Sequence, residues 1–558
     1  MALQRAAPVA TSLVTQLSTV DLVICIGYLL SVLVVGLFFT VKEQRAREKL
    51  RLVRLQRQVL LDAGARDPKH LDTPRKPASN NDHILEEYYL GGRRIPWYAL
   101  AVADVSSYID ISGTMINTAL VYALGIKGMY IEIRGGLCLF LAFQLAYTGK
   151  LSRRCPVKTR GEWYVLLLRM SDGVLLRTTI AITSLTSGIL ATTYFAVGGG
   201  TRSCHCGMLL RNSLPDLTHF DVNAINPGKF FTEFATIPEW GGLPSEFWAA
   251  ALLMVVAMLY TVASGYSTVV YTDVYQSFFI FTSFIVVAVM GLMVQLPEQF
   301  SVFLPEKAVN KEPQYVEVST TRSAWTSAVP PNSLGLPQEA SYSMYNSFGL
   351  ILGSYLLLQT MRSASGPGGS GLQTVLATKS EREVRSQTFL AMVFLSLRWA
   401  FSGGIAVMGI HYSMQHVGVV IDPERVVPIV IDKMLPIGVK GFVLASLLAA
   451  ALTTFDTTIN SSSSYWTVDI YQALINPKAS ERQLLWQARF STVFVMLGGL
   501  FLSLDVSTIN RIWGFMTIAM AGGLIWPFFF SWYWARFNAY SCLAGVFSGY
   551  IAAFAVFM

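Results

Sequence analysis

Three short stretches place hydroxyls, carboxylates and glycines inside otherwise apolar segments. In Ala103–Thr114, two carboxylates (Asp104, Asp110) and four hydroxyls (Ser106, Ser107, Ser112, Thr114) interrupt an apolar run. Such residues compete with helical hydrogen bonds, so the stretch reads either as unwound backbone lining a cavity or as a helix with buried polar pairs. In Arg362–Gly371, Pro367 and four glycines sit between Ile351–Met361 and Leu372–Leu376. The helix there is either interrupted, or ends at Arg362 and gives way to a cytoplasmic loop. In Leu447–Asn460, the residues Ala450, Thr453, Thr454 and Thr457 stand at i, i+3, i+4 and i+7 and share one helix face. Hydroxyls beside a small residue, completed by the carbonyls of an unwound helix, make a neutral oxygen cage suited to a small monovalent cation. Hydroxyls bonding back to their own helix are the alternative.

These stretches must be held by membrane helices. The chain has 558 residues, of which 53% are hydrophobic and only 14% charged, with a mean hydropathy of +0.47. Soluble, disordered and collagenous classes are excluded, and six cysteines are too few for a disulfide framework. About twelve apolar spans of roughly 20 residues fall near 19–41, 96–125, 130–149, 174–199, 246–265, 268–294, 346–372, 388–412, 437–466, 488–505, 508–533 and 538–557. The polar stretches lie in the second, seventh and ninth. If the second and seventh each open a five-helix repeat, their interruptions correspond, which is the sequence pointer to the binding site of an inverted-repeat secondary transporter.

The net charge of +8 reports orientation rather than nucleic-acid binding. Val41–Pro77 holds eleven Lys/Arg and is expected in the cytoplasm, with the N-terminus outside. Alternation then puts Gly149–Trp163, Gly265–Tyr266, Lys379–Arg385, Lys478–Arg489 and Trp534–Phe537 inside, and four of these five loops carry basic residues. The first span is too long and too directly followed by charge to be a cleaved signal. Lys42–Gln58 reads as a solvated juxtamembrane helix, with lipid binding as the alternative. Cys204 and Cys206 form one isolated Cys-x-Cys that lacks the second half of a zinc site. No nucleophile–base constellation argues for an enzyme.

Four motifs in order resemble the sodium:solute symporter family of sugar, proline, sialate, choline and vitamin carriers. They are Leu90–Tyr98 before the first core helix, Tyr260–Thr261 with Ser264–Gly265 and Val270–Gln276 at the fifth, Gln373–Ser380 ending the sixth, and Thr453–Thr458 in the eighth. The resemblance implies an all-α integral membrane protein with a leucine-transporter-like fold. That fold is a five-plus-five inverted repeat of spans two to eleven with one flanking helix at each end. The expected division is 1–41 (N-terminus and flanking helix), 42–89 (basic loop), 90–294 (first repeat), 295–345 (extracellular loop), 346–533 (second repeat) and 534–558 (terminal helix).

Carried over by motif, the resemblance implies a sodium site of the Ser106 and Ile109 carbonyls with Ala450, Thr453 and Thr454. Asp273 with Thr457 is its candidate for a second sodium or a charge relay. Asp110, Gly113, Glu132 and Arg362 are the expected solute-cavity residues. Gly113 stands where sugar carriers tend to have His or Gln, whereas Glu132 falls at their acidic sugar contact. A buried guanidinium at Arg362 would favour an anionic or carboxylate-bearing solute. The expected function is sodium-coupled symport of a small organic solute across the plasma membrane. The rival is a membrane sensor that keeps the fold without net transport, motivated by Tyr108 and Arg362 in the expected cavity and by the long basic segment.

Overall fold

The computed structural model describes residues 17–62, 80–131, 139–167, 174–200, 234, 243, 245–307, 314–416, 419–504 and 522–557. Six helices among them are long and apolar enough to cross a membrane. Helix α1 (Thr19–Asp62) runs 44 residues without a break, about 66 Å at 1.5 Å per residue. It therefore extends well past a ~30 Å hydrocarbon core, carrying the start of the basic segment with it. A short helix, α2 (Asn80–Leu90), leads into the first interrupted helix.

That helix is made of α3 (Trp97–Tyr108) and α4 (Ile111–Leu124). The unwound stretch is shorter than the sequence suggests: only Ile109 and Asp110 leave helical geometry. Ser106 and Ser107 turn their hydroxyls back onto the carbonyls of Ala103 and Asp104, at 3.0 and 2.8 Å, loosening the end of α3. Asp110 then restarts the helix as its N-cap, accepting from the Gly113 N–H at 2.9 Å.

After the helical run of Leu139–Phe143, Gln144–Thr148 and Gly149–Arg154 come α5 (Arg160–Leu167), α6 (Val174–Gly200), α7 (Ser245–Ser264) and α8 (Tyr266–Met293). A single residue, Gly265, separates the last two. Strands β1 (Gln299–Pro305) and β2 (Tyr315–Thr321) form an antiparallel hairpin with Gln299 opposite Thr321. Tyr315 OH donates to Asp422 Oδ2 at 3.2 Å, tying the hairpin to a distant loop. Burial raises the Asp422 carboxyl above the usual carboxylate value, against lowering contributions from the Glu424 N–H, Tyr315 and Arg425.

The second interrupted helix is α9 (Phe348–Ala364) followed by α10 (Gly369–Ala377). The break is Ser365–Gly368, with Gly366 at φ +78°, a conformation in which a side chain is strained. The chain resumes as a helix whose Gly371–Ala377 are all buried, so the break is an interruption within the core and not a loop outside it. Its freed carbonyls are capped from elsewhere. Ser365 O accepts from Arg160 Nη2 at 3.0 Å and Trp532 Nε1 at 2.9 Å, and Ala364 O from Tyr533 OH at 3.1 Å. The Arg160 guanidinium also lies 4.0 Å from the Phe528 ring centroid.

The remaining helices are α11 (Glu381–Leu395), α12 (Leu397–Gln415), α13 (Val426–Met434), α14 (Val439–Ser464, continued by Tyr465–Ile475), α15 (Glu481–Leu502), α16 (Gly522–Tyr533) and α17 (Ala539–Phe557). Helix α14 is central and packs against α1, α3, α6, α7, α8 and α15. From Val443 to Thr457 every residue is buried. Its N-terminus is capped by the flanking helix, since Asp21 Oδ1 accepts from the Gly438 and Gly441 N–H groups at 2.8 Å each. The two interrupted helices meet along one end, where Ile95 bridges Thr378 and Thr374 Oγ1 lies 3.2 Å from Asp104 Oδ1.

Candidate functional site

The break in the first interrupted helix faces the hydroxyl-bearing side of α14. Thr453 Oγ1 reaches across to Ser106 O at 3.0 Å and is also 3.2 Å from Ala450 O. Thr454 Oγ1 donates to Ala450 O at 2.7 Å. Four oxygens from two helices, none formally charged, thus converge within hydrogen-bonding distance of one another. Ser106, Ile109, Ala450 and Thr453 are fully shielded and Thr454 is only 3% exposed. Thr453 and Thr454 both bond back to their own helix, the alternative given for this face, and Thr453 also crosses to the neighbour.

One turn further along α14 lies a buried acidic pair. Thr457 Oγ1 is 3.4 Å from Asp273 Oδ2 on α8 and 3.3 Å from Asp456 Oδ1, and its single hydrogen serves one carboxylate at a time. Tyr260 OH from α7 donates to Asp456 Oδ2 at 2.8 Å. Asp273 and Thr457 come together as the resemblance implies, and Asp456 joins them.

Asp110 is the hub on the other side of the break. Its Oδ2 accepts from Gly113 N and, at 3.1 Å, from Tyr194 OH of α6. Its Oδ1 lies 3.3 Å from Arg398 Nη2 of α12, and Arg398 Nη1 donates to Tyr108 O at 3.3 Å. A Cβ at Gly113 would stand 2.5 Å from Arg398 Nη2 and 2.6 Å from Asp110 Oδ1, so this position has to be a glycine for the pair to form as it does.

The buried guanidinium is therefore that of Arg398, whose side chain is 2% exposed. Arg362 lies on the last turn of α9 with its side chain exposed, which corrects the expectation of a buried guanidinium there. Glu132, Cys204 and Cys206 lie outside the described residues. Arg398 is the lone ionisable residue between Thr388 and Ile410, the one signal that could have drawn attention to it, but nothing in the sequence says that it meets Asp110, 288 residues away.

A hairpin-bearing helical membrane protein with two interrupted helices, the first facing the hydroxyls of a central helix, defines the class. The family model described as "Sodium:solute symporter family" matches residues 242–549, more than half of the chain. The chain belongs to that family. It is 25% identical to the sodium/proline symporter of Haemophilus influenzae over 307 residues, which cover 53% of this chain and 54% of that protein. It is also 25% identical to sodium/glucose cotransporter 4 of Danio rerio over 267 residues, covering 45% and 38%. The matched region spans about half or less of these relatives' length. A solved structure of a Na+-coupled sialic acid symporter, in a substrate-bound outward-open state, superposes with a TM-score of 0.57 at 14% identity over 96% of this chain and 97% of that one. The fold is the leucine-transporter-like one that the motifs imply.

Proposed function

We propose that this chain is a sodium-coupled secondary active transporter of a small organic solute, working by alternating access. The observation that carries the reading is the Thr453 hydroxyl meeting the Ser106 carbonyl across the α3–α14 gap. Sodium is cargo, held by the carbonyls of Ser106, Ile109 and Ala450 and by the hydroxyls of Thr453 and Thr454. The two hydroxyls would turn their lone pairs inward and give up their bonds to Ser106 O and Ala450 O. A cage of neutral oxygens binds a monovalent ion without trapping it.

Because α3 and α14 each supply ligands, the filled cage holds the first interrupted helix against the central one and favours the outward-open form. The ion drives transport only through its differential affinity for the two conformations. Asp273 with Thr457 serves as a second sodium site or a charge relay behind the first. Asp110 and Gly113 line the solute site, with Glu132 as a further contact. The eleven basic residues of Val41–Pro77 support a cytoplasmic loop and an outside N-terminus. The segments 90–294 and 346–533 are the two repeats.

The test needs no solute: thermal unfolding of the purified protein in detergent, titrating sodium against potassium at constant ionic strength. Sodium at roughly tenfold its Kd should stabilise by about 1.4 kcal/mol, and the Thr453→Ala/Thr454→Ala variant should lose that response. Equal stabilisation by both ions would remove the sodium-coupled reading.

A further inference from the structure

We infer that the groove between α1 and α8 binds an anionic phospholipid of the cytoplasmic leaflet, with an acyl chain in the groove and the phosphate on Lys42 and Arg45. The site lies apart from the cation and solute sites. The inference takes from the transporter reading only the cytoplasmic placement of the basic segment.

Two contacts pin the walls of the groove together, one at each end. At the outer end Tyr275 OH donates to Ser31 Oγ at 2.8 Å. At the inner end Phe39 stacks on Tyr271 with ring centroids 5.0 Å apart. Between these pins Val34 and Val35 of α1 stand across from Val274 of α8, and such short side chains leave the gap unfilled. The cavity that remains measures about 490 Å³ and is open on one side among the described residues. That volume falls within the ~300–1,000 Å³ of small-molecule sites. Its lining is aliphatic and aromatic, so hydrocarbon is what it can hold.

Charge selects the kind of lipid. Val35, Phe38, Lys42, Arg45 and Lys49 follow one another at steps of three and four residues and form one continuous stripe along α1. The stripe is apolar beside the groove and basic beyond it, and Lys42, Arg45 and Lys49 are all exposed. Lys42 Nζ lies 5.7 Å from the Phe39 ring centroid, at the inner mouth of the groove. The acidic residues of this stretch, Glu43 and Glu48, are rotated off the stripe to its two flanks. Glu43 is on the side of Tyr271, within its electrostatic reach. A chain seated in the groove therefore delivers its headgroup to an ammonium and a guanidinium. A headgroup of net negative charge gains most there, a zwitterionic one brings its own cation among them, and a sterol brings no charge. Anionic lipid is concentrated in the cytoplasmic leaflet, where this mouth opens.

The experiment follows the unfolding temperature of the full chain in detergent micelles. The probes are phosphatidylserine, phosphatidylcholine with the same acyl chains, cholesterol and inorganic phosphate. Phosphatidylserine should stabilise saturably and bind at least about tenfold more tightly than phosphatidylcholine, a preference that fades toward ~1 M salt as the charges are screened. Lys42→Gln/Arg45→Gln should weaken phosphatidylserine about thirtyfold and leave phosphatidylcholine unchanged. Val274→Trp, which fills the groove, should weaken both phospholipids, and a cooperative transition without lipid shows that each variant is folded. Equal affinity of the wild type for the two phospholipids, inorganic phosphate acting as strongly as lipid, a stronger response to cholesterol, or a full phosphatidylserine response in Val274→Trp would each overturn the inference. None of these readings needs sodium, so a failure of the transporter reading leaves them standing.

Discussion

The two interrupted helices free their backbone groups by different means. The first breaks over only two residues, Ile109 and Asp110, and is held by side-chain charges: Asp110 caps α4 and Arg398 pins Tyr108 O. The second breaks over Ser365–Gly368 because Pro367 and a positive-φ Gly366 cannot continue a helix. Its carbonyls are capped by Arg160, Trp532 and Tyr533 from other elements. A break maintained by exchangeable side-chain contacts can be remade by an ion or a solute. One maintained by backbone geometry persists whatever is bound. On this difference a ligand response is expected at the first break and a fixed bend at the second.

The sharpest way to break this comparison is to remove Arg398. Arg398→Ala removes a guanidinium that is only 2% exposed together with its contacts to Asp110 and Tyr108 O, and should cost about 3 kcal/mol, read as a drop in the unfolding temperature, with Arg398→Ala/Asp110→Ala recovering part of it. At the second break, Arg160→Ala removes one charged hydrogen bond to Ser365 O and the contact with Phe528. A loss of about 2 kcal/mol is expected for this half-buried group. Should it cost as much as Arg398→Ala, the second break is held by charge too. Gly366→Ala tests the geometric side: a left-handed residue with a Cβ costs about 1–2 kcal/mol, and here that Cβ would also meet the Trp532 ring at 2.8 Å. Sodium stabilisation measured on this variant should be unchanged, because the cage lies at the other break.

The smallest effect is expected at a site remote from both. Because burial raises the Asp422 carboxyl in the folded chain, its protonated form contributes stability that is fully present below the unfolded value near 3.8. That contribution is lost as the pH rises through the higher folded value. Asp422→Asn should flatten this dependence by less than about 1 kcal/mol, visible as a shallower slope of unfolding temperature against pH from 4 upward. An unchanged slope would mean that the hairpin junction does not titrate.

The groups that meet at the first break could largely be read in advance. Ala450, Thr453 and Thr454 share a helix face by spacing alone, and Ser106 and Ile109 follow from an ungapped count from Pro96. Asp273 and Thr457 were legible through motifs. Arg398 was not, because a single arginine in an apolar run has no local partner that reveals its role. Arg362, adjoining the glycine-rich break, was expected to be the buried guanidinium, whereas Arg398 is the buried one. The length of the first break was also beyond sequence reasoning: Asp104, Ser106 and Ser107 all compete with the helix, yet α3 persists through them because its buried face packs on α8, α11 and α14.

The sequence by itself determined a polytopic helical membrane protein, the family and the hydroxyl face of α14, and it marked two stretches where a helix could break. Apolar run length, glycine and proline chemistry and helical periodicity are local properties of the chain. Only the tertiary structure decided which polar groups meet. Thr453 with Ser106 are separated by 347 residues, and Tyr260 with Asp456 by 196. Such pairings depend on how buried helices pack and not on any local signal. In a membrane interior, where every polar group must find a partner within the protein, that packing is what turns scattered hydroxyls and charges into a site.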